Sequence, residues 1–280
     1  MKDFKDKVVV VTGAGSGIGR SVALAFAREG ARLHITDIKE YRVKAVAEEA
    51  AAIGAEARAY AVDSSDRKDM EKFARDVMAA AGRVDILHNN AGISVGGDLG
   101  TITLETWEKI INLNLWGVIY GIHFFLPGMI ERKSGHIINT ASGAGLMGLP
   151  YNGPYVASKF GVVGLSEVMS MELRKHGIYT TVLCPGAVKT NIFNESFYEF
   201  VEGSGKVRVI TADFFEKYGA SPDKVASDLL KAVRKRKPIC VSPAPQVYLG
   251  WIVKRISPGL YQNIMRILAD KLFLGKFKKG

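Results

Sequence analysis

The sequence predicts an α/β protein, a doubly wound parallel sheet of about seven strands in a single domain, with a helical, basic C-terminal extension. Three observations predict it. Short apolar runs recur along the chain, the first at Val8 to Val11, and an all-apolar β-branched run suits a strand covered on both faces. Helical periodicity fills the intervals, and strand–helix alternation at this spacing gives parallel pairing with right-handed crossovers. Glycines crowd the first strand–helix junction, TGAGSGIG from Thr12 to Gly19.

Taken in order, RSVALAFAREG has helical periodicity ending at Gly30, and ARLHITD is a second strand ending at Asp37. A helix rich in Ala and Glu, residues 40–53, leads to the strand EARAYAVD, ending at Asp63. A helix over 66–81 leads to VDILHNNAG, a fourth strand running into Asn89–Gly92. Residues 104–130 read as one long helix, GHIINTAS as a fifth strand, and the segment around Tyr155 as a helix. IYTTVLCPGAVKT supplies a sixth strand with a turn, and KPICVSP a seventh. No composition break or repeat beyond the βα period divides residues 1–245, and 280 residues with 48% apolar content allow a sizeable core.

The charge is placed unevenly. Residues 231–280 hold twelve Lys and Arg against Asp270 alone, whereas residues 1–230 hold 26 basic and 27 acidic groups. The pI of 9.5 is therefore a property of the tail, and no motif for nucleic acid accompanies it. Cys184 and Cys240 have neither metal-ligand nor disulfide spacing, which points to a reducing compartment. The N-terminal apolar run is too short for a signal peptide or a membrane span, so a cytoplasmic location is expected. His88, His123, His136 and His176 share no spacing and read as structural or surface groups, with no metal site.

A glycine-rich turn between strand and helix lets backbone approach a phosphate, which the helix N-terminus attracts through free amides and its dipole. The spacing G-x-G-x-x-G fails, because Ile18 and Arg20 fall where the third glycine belongs; G-x-x-x-G-x-G fits through Gly13, Gly17 and Gly19. Asp37, eighteen residues beyond Gly19, is placed to accept hydrogen bonds from an adenosine ribose and to repel a 2′-phosphate. NAD is favoured over NADP on that ground, with Lys39 as the one contrary charge.

Tyr155 and Lys159 stand four apart, on one face of a helix. An ammonium beside a phenol stabilises phenolate and brings a pKa of about 10 toward neutrality, making the tyrosine a usable acid or base. Ser142, closing the apolar run HIINTAS, can face that helix and hold the oxygen of a reacting group. On its own a Tyr and a Lys on an amphipathic helix carry no chemistry; the company of the other motifs changes that.

The chain resembles the short-chain dehydrogenase/reductase family over roughly residues 4–245. The matching blocks are TGAGSGIG at 12–19, Asp37, Asp63, NNAG at 89–92, Asn114, Ser142, Tyr155-x-x-x-Lys159 and PGAVKT at 185–190. The resemblance implies a Rossmann-type fold and a set of roles. Tyr155 is then the acid/base, Ser142 the hydrogen-bond donor to the substrate oxygen, and Asn114 the anchor of a proton-relaying water. Lys159 lowers the Tyr155 pKa and holds the nicotinamide ribose. The cofactor positions implied are Gly13, Ser16, Gly17, Ile18, Gly19, Asp37, Asp63, Asn90, Ala91, Gly92, Tyr155, Lys159, Pro185, Gly186, Val188 and Thr190. A homo-oligomer, dimer or tetramer, is also implied.

Residues 191–220 lie where that family places a substrate lid, and are dense in Phe and Tyr. Leu146, Met147, Leu149, Tyr151, Phe193 and Phe197 are the candidate pocket residues beside Ser142, and their apolar character suits a lipophilic alcohol or ketone, steroid-like or long-chain. Packing of the lid on the core explains the same aromatics equally well. Two amphipathic segments, 246–256 and 259–274, are split by Ser257-Pro258-Gly259; with Trp251 and Phe277 beside cations they suit a membrane surface, a dimer contact or a flap over the pocket. The expected activity is hydride transfer between NAD and a secondary alcohol or ketone. An NADPH-dependent ketoreductase and a non-catalytic dinucleotide-binding scaffold at a membrane surface are the alternatives.

Overall fold

The computed structural model describes residues 3–190, 192, 197–199, 213 and 215–269. Seven parallel strands form the central sheet in the order β3-β2-β1-β4-β6-β7-β9. They are β1 Val8–Val11, β2 Arg32–Asp37, β3 Ala57–Ala61, β4 Ile86–Asn89, β6 Gly135–Thr140, β7 Ile178–Pro185 and β9 Ile239–Ser242. The doubly wound architecture agrees with the sequence. A separate parallel pair, β5 Val95–Gly97 with β8 Phe197–Glu199, joins the loop after β4 to the loop after β7.

The alternation of side chains along each strand splits the core into two layers. Val9, Val11, Leu33, Ile35 and Ile86 face one side, packing on α1 Gly17–Arg28, α2 Glu40–Ala52 and α7 Pro222–Arg234. Val8, Val10, Leu87 and Ile137 face the other, packing on α3 Arg67–Ala81, α5 Gly117–Glu131 and α6 Gly153–Glu172. Each fully buried aliphatic side chain contributes about 1.5–3 kcal/mol, and both layers are continuous through the sheet.

Local chemistry sets the helix ends. Asp66 accepts from the Lys68 and Asp69 amides at the start of α3, which stops at Gly82 in the left-handed region. Ser221 caps α7 through the Lys224 amide, with Pro222 as its first residue. The long helix expected at 104–130 is α4 Leu104–Ile111, a π-helical stretch Asn112–Trp116, and α5. The three together, Leu104–Glu131, are long and apolar enough to cross a membrane, yet Ile110, Phe125 and Met129 are buried in the core. Helix α7 is not among the elements expected from the sequence, although its Ser-Pro start and apolar spacing are regular.

The described residues end with α8 Ala244–Ile256 and α9 Pro258–Ala269, which pack on each other. Of the expected segment 259–274, residues 270–274 lie outside the described residues.

Candidate active site

The winding of the sheet reverses between β1 and β4, and a crevice opens beyond their C-terminal ends, where open α/β sheets bind ligands. Hydrogen bonds tie the two strand ends together there. The Thr12 hydroxyl accepts from the Asn90 and Ala91 amides at 2.9 and 3.1 Å, and Asn90 Nδ2 donates to the carbonyls of Thr12 and Gly13. The glycine turn is consequently pressed against β4. Gly13 sits at φ +61°, and a Cβ there would stand 2.7 Å from Ala91 Cα. Gly19 has the Gly13 carbonyl directly over its Cα, leaving no room for a side chain.

Asp37 at the end of β2 accepts from the Gly15 amide at 3.1 Å and the Lys39 amide at 2.9 Å. Its carboxylate therefore fixes the turn from below. Gly15, absent from the sequence pattern, is needed for this: a Cβ would come 2.7 Å from Asp37 Oδ2 and 2.8 Å from Arg42 Cβ. Arg42 is likewise outside the sequence pattern. Being five residues past Asp37, it returns to the glycine turn only because β2 passes at once into α2. Asp63 is held by Ser65, whose amide and hydroxyl both donate to Oδ1.

At the other end of the crevice, β6 delivers Ser142 and α6 delivers Tyr155 and Lys159. The Ser142 oxygen accepts from the Ala144 amide at 3.1 Å, which starts a 3₁₀ turn, Gly143–Gly145. Lys159 Nζ donates to the Thr140 carbonyl at 3.0 Å and lies 5.6 Å from the Tyr155 ring centre. Burial pulls the Lys159 pKa down to about 8. The expected depression of the Tyr155 pKa is not what the environment gives. Burial raises it, and the hydrogen bond from Ser142 opposes that only in part. The reason is geometric: the ammonium is aimed at Thr140, and its own charge is destabilised by the same burial.

These groups line one cavity of about 380 Å³. It gathers Gly13 and Ser16 to Gly19 of the turn, Asp37, Asp63, Asn90 to Gly92, Ser142, Tyr155, Lys159 and the stretch Pro185, Gly186, Val188 and Thr190. Every cofactor position expected from the sequence is on its wall. Asn114 is not; it is fully buried, and its amide donates to the Ile93 carbonyl and Ser158 Oγ while its oxygen accepts from the Ile93 amide. That side chain braces the loop after β4, and Ser158 in turn donates to the Tyr155 carbonyl at 2.7 Å.

The apolar pocket residues divide. Leu149 and Tyr151 line the cavity, Tyr151 with φ +62°, a left-handed conformation unusual for an aromatic residue. Leu146 and Met147 do not. The 3₁₀ turn carries Leu146 into the core with Val162, Val163 and Val247, and Met147 packs beside it against Gly250. Phe197 also misses the cavity: it packs on Val95, Ile102 and Ile110, and Lys109 lies over its ring. Strand alternation in β8 explains this, since its neighbour Tyr198 is the residue on the cavity wall. Phe193 lies outside the described residues, as does most of 191–220. Ile93, Val95, Ile192 and Phe215 line the cavity without having been anticipated.

A family model described as short chain dehydrogenase matches residues 7–199. Among curated relatives, the probable oxidoreductase EphD of Mycobacterium tuberculosis is 38% identical over 273 residues, covering 94% of this chain and 45% of EphD. The chain thus spans about half the length of that relative. The cyclohexanol dehydrogenase of an Acinetobacter strain is 35% identical, covering 69% of this chain and 77% of its own. Among solved structures, a short chain dehydrogenase/reductase from Burkholderia phymatum in complex with NAD superposes with TM-score 0.83 at 29% identity, covering 93% and 96% of the two chains. A metagenomic short-chain oxidoreductase in complex with NADP gives TM-score 0.69 at 32% identity, covering 84% and 94%. With the match spanning the glycine turn, the Asn-Asn-Ala-Gly loop and the Tyr–Lys helix, the chain belongs to the short-chain dehydrogenase family.

Proposed function

We propose that the chain is an oxidoreductase that moves a hydride between NAD and a lipophilic secondary alcohol or ketone. The observation that carries the reading is the convergence of Ser142, Tyr155 and Lys159 with the glycine turn and Asp37 on a single cavity. The residues present fit a dinucleotide. The turn has no room for side chains at Gly13 and Gly19, and α1 opens onto the cavity with its N-terminal amides. Asp37 presents a carboxylate at the same rim.

The bound nicotinamide supplies the hydride chemistry, accepting or giving the electron pair. The chain supplies one proton path and the positioning. Tyr155 takes the proton from the substrate hydroxyl or returns it to the carbonyl, and the Ser142 hydroxyl fixes the oxygen on which this happens. Lys159 places a positive charge 5.6 Å from the tyrosine ring, where it favours phenolate against the cost of burial. Asn114, through Ile93 and Ser158, holds both the β4 loop and the first turn of α6 in place.

Ile93, Val95, Leu149 and Phe215 on the wall support an apolar substrate. The name of the cyclohexanol dehydrogenase relative, a secondary alcohol on an apolar ring, agrees with that class. Arg42 supports a second reading, an NADPH-dependent ketoreductase, because its Cβ lies against Gly15, bringing a cationic side chain to the turn beside Asp37.

The test pairs separate titrations of NAD(H) and NADP(H) with a screen of apolar secondary alcohols, followed at the reduced-nicotinamide absorbance. Tyr155→Phe is expected to lower kcat by about 10²–10⁴ with cofactor affinity retained. Undiminished turnover in that variant would remove the acid/base assignment, and tighter binding of NADP would favour the second reading.

A further inference from the structure

The helices α8 and α9 present two very different faces. On the inner face the Tyr261 hydroxyl donates to the Gly148 carbonyl at 2.7 Å and Lys254 Nζ donates to the Leu146 carbonyl at 3.0 Å. Val247 is buried there against Gly143 and Gly186. The helical pair is therefore fixed to the body, through the segment that precedes Leu149 and Tyr151 of the cavity wall.

The outer face is apolar and open. On α8, Leu249, Ile252 and Ile256 are 67%, 49% and 80% exposed and fall on one stripe. On α9, Leu260, Ile264 and Leu268 make a second stripe, 54%, 40% and 45% exposed, with Ile267 beside it. Scattered exposed aliphatics are ordinary on a protein surface, but two aliphatic stripes on helices that pack on each other mark a binding face.

Charge decides what binds. Lys254, Arg255 and Arg266 are the only ionisable side chains other than tyrosine on the two helices. No Asp or Glu occurs between Asp228 and Asp270, and residues 270–280 add four lysines to one aspartate. The Arg255 guanidinium lies over the Trp251 ring at 5.2 Å, joining a cation to an amphipathic aromatic. A second copy docked on the same face by two-fold symmetry would offer no carboxylate from either helix to pair with Arg255. An anionic lipid surface complements both the stripes and the charge.

We propose that the outer face of α8–α9 docks on an anionic membrane surface. Its aliphatic stripes enter the boundary between headgroups and acyl chains, while Arg255, held over Trp251 beside the α8 stripe, pairs with lipid phosphates. The test is sedimentation of the full chain with vesicles of phosphatidylcholine alone and of phosphatidylcholine with phosphatidylglycerol. Binding is expected to need the anionic lipid and to weaken as salt is raised. The double variant Leu249→Ser/Ile256→Ser is expected to partition at least ~10-fold more weakly, with an unchanged circular dichroism spectrum and melting temperature. Failure to bind anionic vesicles, or equal binding by the double variant, would overturn the proposal. So would a dimer in solution that the same substitutions dissolve, which would assign the face to a second copy.

Discussion

Lys159→Met removes a buried positive charge from the cavity while keeping most of the side chain's volume. Lys159 is 3% exposed, and burial lowers its pKa from 10.5 to about 8. A lowered folded-state pKa means that the native chain disfavours the ammonium while the unfolded chain does not. At pH 7 both states carry the proton, and the difference between the two pKa values costs the native state about 3 kcal/mol. As pH rises from 8 toward 10.5 the native state releases its proton first, and the penalty shrinks to about 1 kcal/mol at pH 10. Methionine bears no such penalty but forfeits the hydrogen bond to the Thr140 carbonyl, a loss of about 1 kcal/mol. The variant is therefore expected to be more stable than wild type by about 2 kcal/mol at pH 7, with the advantage gone by pH 10. Urea unfolding of both proteins across that range measures it. Cys184 and Cys240, pushed up to about 12 and about 11 by burial, add their own alkaline trend, but it is common to both proteins and cancels in the difference. A stability difference that stays constant from pH 7 to pH 10 would refute the reasoning, whatever its size. On the proposed function the stabilised variant loses turnover, so the charge is retained at the expense of stability.

Three further outcomes follow from the same geometry. Gly13→Ala is expected to cost about 2–4 kcal/mol, because the backbone is left-handed there and the new Cβ meets Ala91 Cα; an unchanged urea midpoint would contradict the close approach. His88 and His136 are buried, with pKa values lowered from 6.5 to about 3. The unfolded chain takes up protons below pH 6.5 that the folded chain refuses, so each residue is expected to cost about 2 kcal/mol of stability at pH 5. Unfolding midpoints measured between pH 7 and pH 5 would show it, and a flat profile would exclude it. Asp37→Ser is expected to raise NADP affinity relative to NAD about 10-fold by removing the repulsion of a 2′-phosphate; an unchanged ratio would shift attention to Arg42.

The sheet was legible because its central strands are covered on both faces. Val8 to Val11 is apolar throughout, the other central strands are largely so, and runs of that kind between helical repeats have few other readings. The glycine turn was legible for a related reason: backbone packed against backbone excludes every other residue, so the constraint is written at the position itself. The cavity wall was only half legible. Leu146 and Leu149 have the same character three residues apart, and a single 3₁₀ turn sends one into the core and leaves the other on the cavity. The parallel pair β5–β8 gave no signal, since its strands are three residues long and Val95–Gly97 holds two glycines.

What the sequence by itself determined, then, is the order of strands and helices, the glycine turn, and the identity of the polar groups at the strand ends. These are local or periodic properties, each carried by residues close together in the chain. Tertiary structure decided where those groups point. Only the packed protein aims Lys159 at Thr140, buries Tyr155 until its pKa rises, and folds Asn114 away from the cavity onto Ile93. Only the packed protein brings Arg42 to Gly15 and leaves the aliphatic stripes of α8 and α9 facing outward. Side-chain direction and burial depend on neighbours distant in sequence, and the electrostatics of a site depend on both.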